Sequence, residues 1–131
     1  MREILFRGRN ENSTWIYGSL LVDKDTFDKN AFIYYICDID GYSMEIVNTK
    51  TIGQFTGLTD KNGTKIFEGD IVETKYGRWG QVVWFSSPRG QRWNLIPLED
   101  KHKCPDDYDL WTPKNLEVIG NVHDNPELLN K

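Results

Sequence analysis

The sequence has few of the residues on which small secreted, membrane-spanning and metal-binding proteins depend. Two cysteines and two histidines occur among its 131 residues, which excludes a disulfide framework, and their spacing does not match that of the common zinc sites. No apolar run approaches the ~20 residues that a membrane-spanning helix needs. The residues after Met1 lack the pattern of a signal peptide. We therefore expect a cytoplasmic protein that makes no contact with membranes.

Motifs of the common enzyme classes are also missing. The sequence has neither a glycine-rich phosphate loop nor a nucleophile elbow. Ser86 and Ser87 have no histidine or lysine close to them in the sequence. The carboxylates Glu68 and Asp70 flank a glycine, a pattern that a turn explains better than a cation site does. We expect no catalytic residues, no cofactor and no metal site, and hence a protein that is not an enzyme.

Charge is not strongly biased over the whole chain, but it is distributed unevenly. Sixteen basic and 20 acidic residues give a net charge of −4, which excludes a generally basic nucleic-acid coat. Residues 61–98 differ, because six basic and three acidic residues give this segment a net charge of +3. The same segment contains three of the five tryptophans. The sequence therefore does not exclude a local surface that is both basic and aromatic.

What the sequence does contain is a succession of short β patterns separated by glycine turns. Asp40-Gly41 joins two apolar runs and predicts a hairpin in which both turn residues have positive φ. Asn62-Gly63 predicts a second tight turn. Helical signals are few, and the strongest is a short turn beginning at Asp124-Asn125-Pro126. The predicted strands cover residues 4–6, 15–22, 32–39, 42–47, 51–58, 64–67, 71–74, 81–85, 92–98 and 116–122.

These patterns predict an all-β fold, a small barrel or sandwich with a short C-terminal helical turn. We expect residues 1–60 to form an N-terminal β subdomain. Residues 61–131 are expected to form an SH3-like β-barrel subdomain that carries an acidic loop at residues 99–109. The two subdomains are predicted to pack together as one unit.

Three segments together resemble one known family. They comprise residues 3–8 (EILFRG) with 15–20 (WIYGSL), residues 52–58 (IGQFTGL) with 60–72 (DKNGTKIFEGDIV), and residues 117–122 (EVIGNV) with 124–129 (DNPELL). This combination is similar to the YopX-like family of phage and prophage proteins, and it extends from one end of the chain to the other. The resemblance implies a mainly β accessory protein of bacteriophages and prophages, above all those of Gram-positive hosts. It implies no activity, so no catalytic residues are carried over.

A small protein without catalytic groups is best interpreted as a binding module for a host or phage protein. SH3-like barrels present aromatic grooves to extended peptides, and exposed edge strands can accept an additional strand. The acidic loop would supply a polar rim around an aromatic residue. The candidate partner-binding residues are Lys75, Arg78, Trp79, Arg89, Arg92, Trp93, Tyr108 and Trp111.

The alternative is nucleic-acid binding, single-stranded or duplex, through the basic tryptophan-rich face of residues 75–93. Arginines beside exposed aromatic rings contact phosphates and stack on bases. The competing structural explanation is that these tryptophans fill the core, as large aromatic residues usually do in small β domains. We also expect a homo-oligomer, because unpaired strand edges can pair with those of another copy. The sequence leaves these alternatives open.

Overall fold

A computed structural model describes residues 3–38, 40–41, 43–75, 77–88, 90–98 and 113–130. In these ranges the chain forms β-strands joined by turns, with short 3-10 turns at Thr49–Thr51, Pro113–Asn115 and Pro126–Asn130 and no α-helix. The all-β class is therefore confirmed. The strands are β1 (Phe6–Arg9), β2 (Trp15–Lys24), β3 (Phe32–Asp38), β4 (Met44–Ile46), β5 (Gly53–Thr59), β6 (Lys65–Phe67), β7 (Asp70–Glu73), β8 (Trp79–Ser87), β9 (Gly90–Pro97) and β10 (Glu117–Asn121).

The described strands form two antiparallel sheets. One has the order β4-β3-β2-β1-β5-β6 and the other has the order β10-β7-β8-β9. Each ends on strands with a single neighbour, so both sheets are open and neither closes into a barrel. The chain divides into two compact units, residues 1–55 and 56–131, called here the first unit and the second unit. The subdomain boundary predicted near residue 60 and the SH3-like character of the C-terminal half stay predictions.

The first unit contains the predicted hairpin between β3 and β4. Gly41 has a φ of 76°, and its N–H donates to the carbonyl of Asp38. The N–H of Asp38 donates to the carbonyl of Ser43, which makes the connection four residues long. Asp40 does not share the positive φ of Gly41. The hairpin is confirmed, but its turn is wider than the predicted two-residue turn, and only the glycine needs the left-handed conformation.

The segment after β4 connects β3 with β1. The N–H of Val47 donates to the carbonyl of Tyr34 at 3.0 Å, and the next N–H, from Asn48, donates to the carbonyl of Arg9 at 2.8 Å. A Cβ atom on Gly8 would lie 3.0 Å from the Val47 side chain, so β1 needs glycine where this segment crosses it. The sheet therefore curls until its β4 end meets β1. The buried apolar residues of this unit are Leu5, Ile36, Val47 and Phe55.

The second unit has the denser core. Val82 on β8 faces Leu95 on β9, and both are inaccessible or nearly so. Burial of aliphatic side chains of this size stabilises a fold by roughly 1.5–3 kcal/mol each. The cluster consists of Ile66, Val72, Val82, Leu95 and Leu116, with Leu58, Trp93 and Val118 packed against it. The core thus combines side chains of β7, β8 and β9 with others from β5, β6 and the segment around β10.

Asp60 connects the turn between β5 and β6 to β10. Its Oδ1 accepts hydrogen bonds from the N–H groups of Asn62 and Thr64, and its Oδ2 accepts one from Val118 at 2.9 Å. Burial raises the pKa of Asp60, but these three bonds and the charge of Lys61 lower it, and the pKa lies below its ordinary value of 3.8. Asp60 is therefore an ionised structural residue of the second unit.

The chain ends in the helical turn that the sequence predicts. A 3-10 turn covers Pro126–Asn130, and the N–H of Leu128 donates to the carbonyl of Asn125. In the ranges that the structure describes, no helix is long and apolar enough to cross a membrane.

Candidate functional site

The first group of predicted site residues lies around the turn between β7 and β8. Lys75 and Arg78 are exposed there. Trp79 is half-buried, and its indole Nε1 donates to the Glu73 carboxylate at 2.9 Å. Because Glu73 and Trp79 are cross-strand partners, they lie on the same face of the sheet. The indole of Trp79 is thus already bound to an acidic neighbour within the second unit.

Arg92 and Trp93 are adjacent on β9 and therefore project from opposite faces. The Arg92 guanidinium lies 5.4 Å from the centre of the Phe85 ring, its cross-strand partner. Trp93 meets Trp84 edge to face at 4.9 Å and also packs against the core cluster. The structure thus brings Arg92 to one side of the hairpin and Trp93 to the other.

The remaining candidates, Arg89, Tyr108 and Trp111, lie outside the described residues, as does the acidic loop at residues 99–109. Their role in partner binding stays a prediction.

An apolar surface that the sequence analysis did not single out lies on the first unit. The cross-strand partners Leu21, Tyr35 and Ile46 form one row across β2, β3 and β4, and Ser19, Cys37 and Met44 form the next row. Tyr17 lies on the same side of β2, two residues before Ser19. We call this surface the outer face. It consists of Tyr17, Ser19, Leu21, Tyr35, Cys37, Met44 and Ile46.

The outer face is apolar and open to solvent. Tyr17, Leu21, Met44 and Ile46 are each between 41% and 59% exposed, and no residue of the face is charged. Glu45, between Met44 and Ile46, projects from the other side of the sheet. Surfaces with exposed clustered apolar residues mark interaction sites more often than single exposed residues do. The outer face is therefore the strongest candidate for a binding surface among the described residues.

Two arginines continue the outer face beyond Tyr17. The guanidinium carbon of Arg7 lies 4.7 Å from the centre of the Trp15 ring, and that of Arg9 lies 5.7 Å from it. Arg7 is paired across the strands with Tyr17, and Arg9 with Trp15. Stacking on the indole holds both cations close to the sheet. Arg7 is buried, whereas Arg9 is half-buried, so Arg9 is the more accessible positive charge at this end of the outer face.

A cleft of about 640 Å³ lies beside β4 in the first unit. One wall contains every residue from Met44 to Asn48, and the turn between β1 and β2 supplies the opposite wall. Asn10 in that turn donates through Nδ2 to the Glu45 carboxylate at 3.0 Å, while its own Oδ1 accepts from the N–H groups of Asn12 and Thr14. The cleft is mainly polar, with Met44, Ile46 and Val47 as its apolar residues.

The sequence model of the family described as "YopX protein" matches residues 5–130, nearly the whole chain. The chain belongs to the YopX family. The resemblance inferred from the three sequence segments is thereby confirmed.

Among solved structures, this YopX chain is similar to a crystal structure of protein EF1440 from Enterococcus faecalis. The two are 25% identical, the similarity covers 98% of this chain and 99% of that one, and the TM-score is 0.54. The similarity supports the same fold along the full length of both chains. No curated protein matches this sequence.

The described part of this YopX chain holds no group of three or more histidine, cysteine, aspartate or glutamate side chains that could bind a metal ion. The outer face could have been found from one signal in the sequence. Strand β2 has apolar residues at Ile16 and Leu20 and also at Tyr17 and Leu21, so that both of its faces are apolar. Such a strand needs a cover on each face or leaves one exposed.

Proposed function

We propose that this YopX-family chain is a phage- or prophage-encoded, non-catalytic protein-binding module that works in the cytoplasm of the bacterial host. The supporting observation is the outer face, where apolar side chains of three adjacent strands are exposed together. The cores of protein interfaces are rich in tyrosine and methionine and poor in lysine, glutamate and aspartate. The outer face has this composition.

We propose a host or phage protein as the partner. Protein partners of standard size contact about 20–30 residues on each side, so the seven residues of the outer face need their surroundings to form such an interface. The neighbouring pair Arg9 and Trp15, both half-buried, provides such surroundings, and tryptophan, tyrosine and arginine are the residues that contribute most to binding. A second copy of the chain is the competing occupant, since strand edges and apolar faces also support homo-oligomers.

The test is a pair of matched variants used in affinity capture. L21S together with I46S makes the outer face polar, and I96S is the control because Ile96 is also partly exposed but lies on the second unit. Proteins captured from host lysate are identified, and each is then purified and titrated against the three forms of the chain. We expect a partner whose affinity falls at least tenfold for the double variant and is unchanged for I96S.

A partner whose affinity is equal for all three forms would contradict the proposed surface. Light scattering of the purified chain tests for self-association. If the native chain is a dimer and the double variant is a monomer, the outer face is an interface between two copies of the chain instead.

Nucleic-acid binding through residues 75–93 is the second proposed function. Lys75 and Arg78 are exposed, and Trp84 is 49% exposed beside Trp93. We expect any such binding to weaken steeply with salt, and R78A with R92A to reduce it without unfolding the chain. Binding to a single-stranded oligonucleotide that is weak and independent of salt would reject this function. We also propose that the C-terminal half is SH3-like.

A further inference from the structure

Among the strands that the structure describes, β4 lies at an end of its sheet and has β3 as its one neighbour. The hydrogen bonds at its two ends show which backbone groups face β3. Ser43 accepts from the N–H of Asp38, and Val47 donates to Tyr34. In an antiparallel ladder these bonded positions alternate. The N–H and C=O groups of Met44 and Ile46, which lie between those positions, therefore point away from β3.

These outward groups have no hydrogen-bond partner among the described residues. The two positions are two residues apart, so the outward donors and acceptors repeat every ~6.8 Å, which is the repeat of an extended chain. An unpaired strand edge of this kind is a template for pairing with another extended segment. Small molecules do not reproduce this repeat, whereas a peptide does.

The cleft of about 640 Å³ follows this edge. Residues from both faces of the strand line it, Met44 and Ile46 on one side of the sheet and Glu45 on the other. A cleft lined by consecutive residues of one strand must run along the edge of that strand. Its volume lies within the ~300–1,000 Å³ that ligand sites usually have. The turn at residues 10–13 forms the opposite wall, and the hydrogen bond from Asn10 to Glu45 joins the two walls at one point.

We propose that this cleft binds an extended segment of a partner protein, which adds to β4 as a further strand. The segment has apolar residues beside Met44 and Ile46 and a lysine or arginine opposite Glu45. The proposal rests on the proposed protein-binding function and names the form in which the partner is recognised. Main-chain bonds to β4 give affinity, and the alternating side chains give specificity.

The preference for a basic residue follows from the charges in the cleft. The Glu45 carboxylate is held in the cleft by Asn10, and Glu11 is a second acidic group in the same wall as that asparagine. The one cation of the lining, Arg9, lies over the Trp15 ring. A peptide lysine opposite Glu45 would gain an ion pair in a partly enclosed site.

The experiment is an NMR titration of the full chain with synthetic nine-residue peptides. The parent peptide alternates valine and threonine and has lysine at its centre. Two further peptides carry backbone N-methyl groups. In one they are on the lysine and on every second residue from it, and in the other they are on the remaining residues. N-methylation removes the donors along one edge of an extended peptide and leaves the other edge intact.

We expect the parent peptide to shift the amide signals of Met44, Ile46 and the turn at residues 10–13. One N-methylated peptide should bind at least tenfold more weakly, and the other should bind like the parent. Which of the two is weakened distinguishes antiparallel from parallel addition. Equal effects of both methylations, or no shift at β4 with millimolar parent peptide, would overturn strand addition.

E45Q provides the matched test of charge. The native chain should prefer the lysine peptide to one with norleucine in its place several-fold, and E45Q should bind both equally. A preference that E45Q retains would reject Glu45 as the basis of specificity.

The L21S and I46S double variant separates the two proposals. If peptides do not bind at β4 but the double variant still loses its captured partner, strand addition is wrong and the proposed function stands. If the peptides fail and the double variant also retains every partner, both proposals are wrong. A concentration-dependent dimer whose β4 signals broaden would assign the edge to a second copy and would overturn a peptide partner.

Discussion

The two units use their apolar residues in opposite ways. Among the described residues, the second unit buries eight aliphatic or aromatic side chains and exposes two large ones, Trp84 and Ile96. The first unit buries four and exposes eight. Both units consist of antiparallel strands of ordinary length, so the secondary structure does not explain the contrast. The second unit thus buries more of its large apolar side chains than it exposes, whereas the first exposes more of its own than it buries.

This contrast changes where the function of the chain should be sought. Charge and tryptophan content draw attention to the second unit, but there Trp79 is bonded to Glu73 and Trp93 packs against the core. The first unit has a less unusual composition and yet exposes a continuous apolar face. Burial, rather than composition, therefore indicates the binding surface.

The largest expected effect separates a buried isoleucine from an exposed one. Ile66 is inaccessible in the second unit, whereas Ile46 is 59% exposed in the first. I66A should lower the free energy of unfolding by about 2–5 kcal/mol, because it leaves a cavity. I46A should change it by less than about 0.5 kcal/mol. Urea unfolding followed by tryptophan fluorescence measures both, and similar losses would remove the contrast between the units.

The next effect concerns acid stability of the second unit. The folded-state pKa of Asp60 lies below the ordinary value of 3.8. Its stabilisation is therefore complete above that value and is lost as the pH falls through the folded pKa, since the unfolded chain takes up the proton first. D60N cannot accept all three backbone bonds and should cost about 2 kcal/mol at pH 7.

The measurement for Asp60 is the free energy of unfolding at a series of pH values between 7 and about 2. The difference between the native chain and D60N should shrink as the pH falls below the ordinary carboxyl pKa. A difference that stays constant over this range would show that the ionised carboxylate is not the source of the stabilisation.

A smaller effect on stability, with a large one on binding, is expected at the outer face. L21S with I46S should change the free energy of unfolding by less than about 1 kcal/mol, because both side chains are half exposed. The same variant should lose at least tenfold in affinity for the partner. Calorimetry and the titration described above measure the two quantities, and a large loss of stability would reassign these residues to the fold.

The smallest effect is expected beside Asp60. Lys61 and Glu117 form an ion pair at 3.5 Å with side chains that are 51% and 39% exposed. Exposed pairs contribute roughly 0–1 kcal/mol, so K61A should be almost neutral where D60N is not. A cost equal to that of D60N would mean that charge, rather than backbone bonding, holds this turn to β10.

Local features of the fold could be predicted from the sequence. Gly63 has a φ of 82° in the turn predicted at Asn62-Gly63, and the final helical turn follows from Pro126 and its neighbours. These features depend on the conformations that a few adjacent residues allow. The hairpin at Gly41 was predicted for the same reason, and its turn differed in length and in the conformation of Asp40.

The candidate site could not be predicted in the same way. The exposure of Leu21 and Tyr17 depends on which face of β2 is covered, and β2 is apolar on both faces. The open edge of β4 depends on the order of strands in the sheet, which local patterns do not determine. Both are long-range properties of the chain, and single residues carry no signal for them.

The bond between Asp60 and Val118 spans 58 residues of sequence and has a consequence for synthesis on the ribosome. At 5–20 residues per second, Val118 is added roughly 3–12 s after Asp60. During that interval Oδ2 of Asp60 is bound to water, because the N–H of Val118 has not yet been synthesised. In the first unit, in contrast, the hydrogen bonds donated by Asp38, Val47 and Asn48 all join residues that precede position 56. The nascent chain can therefore complete the unit with the exposed face before the unit with the core.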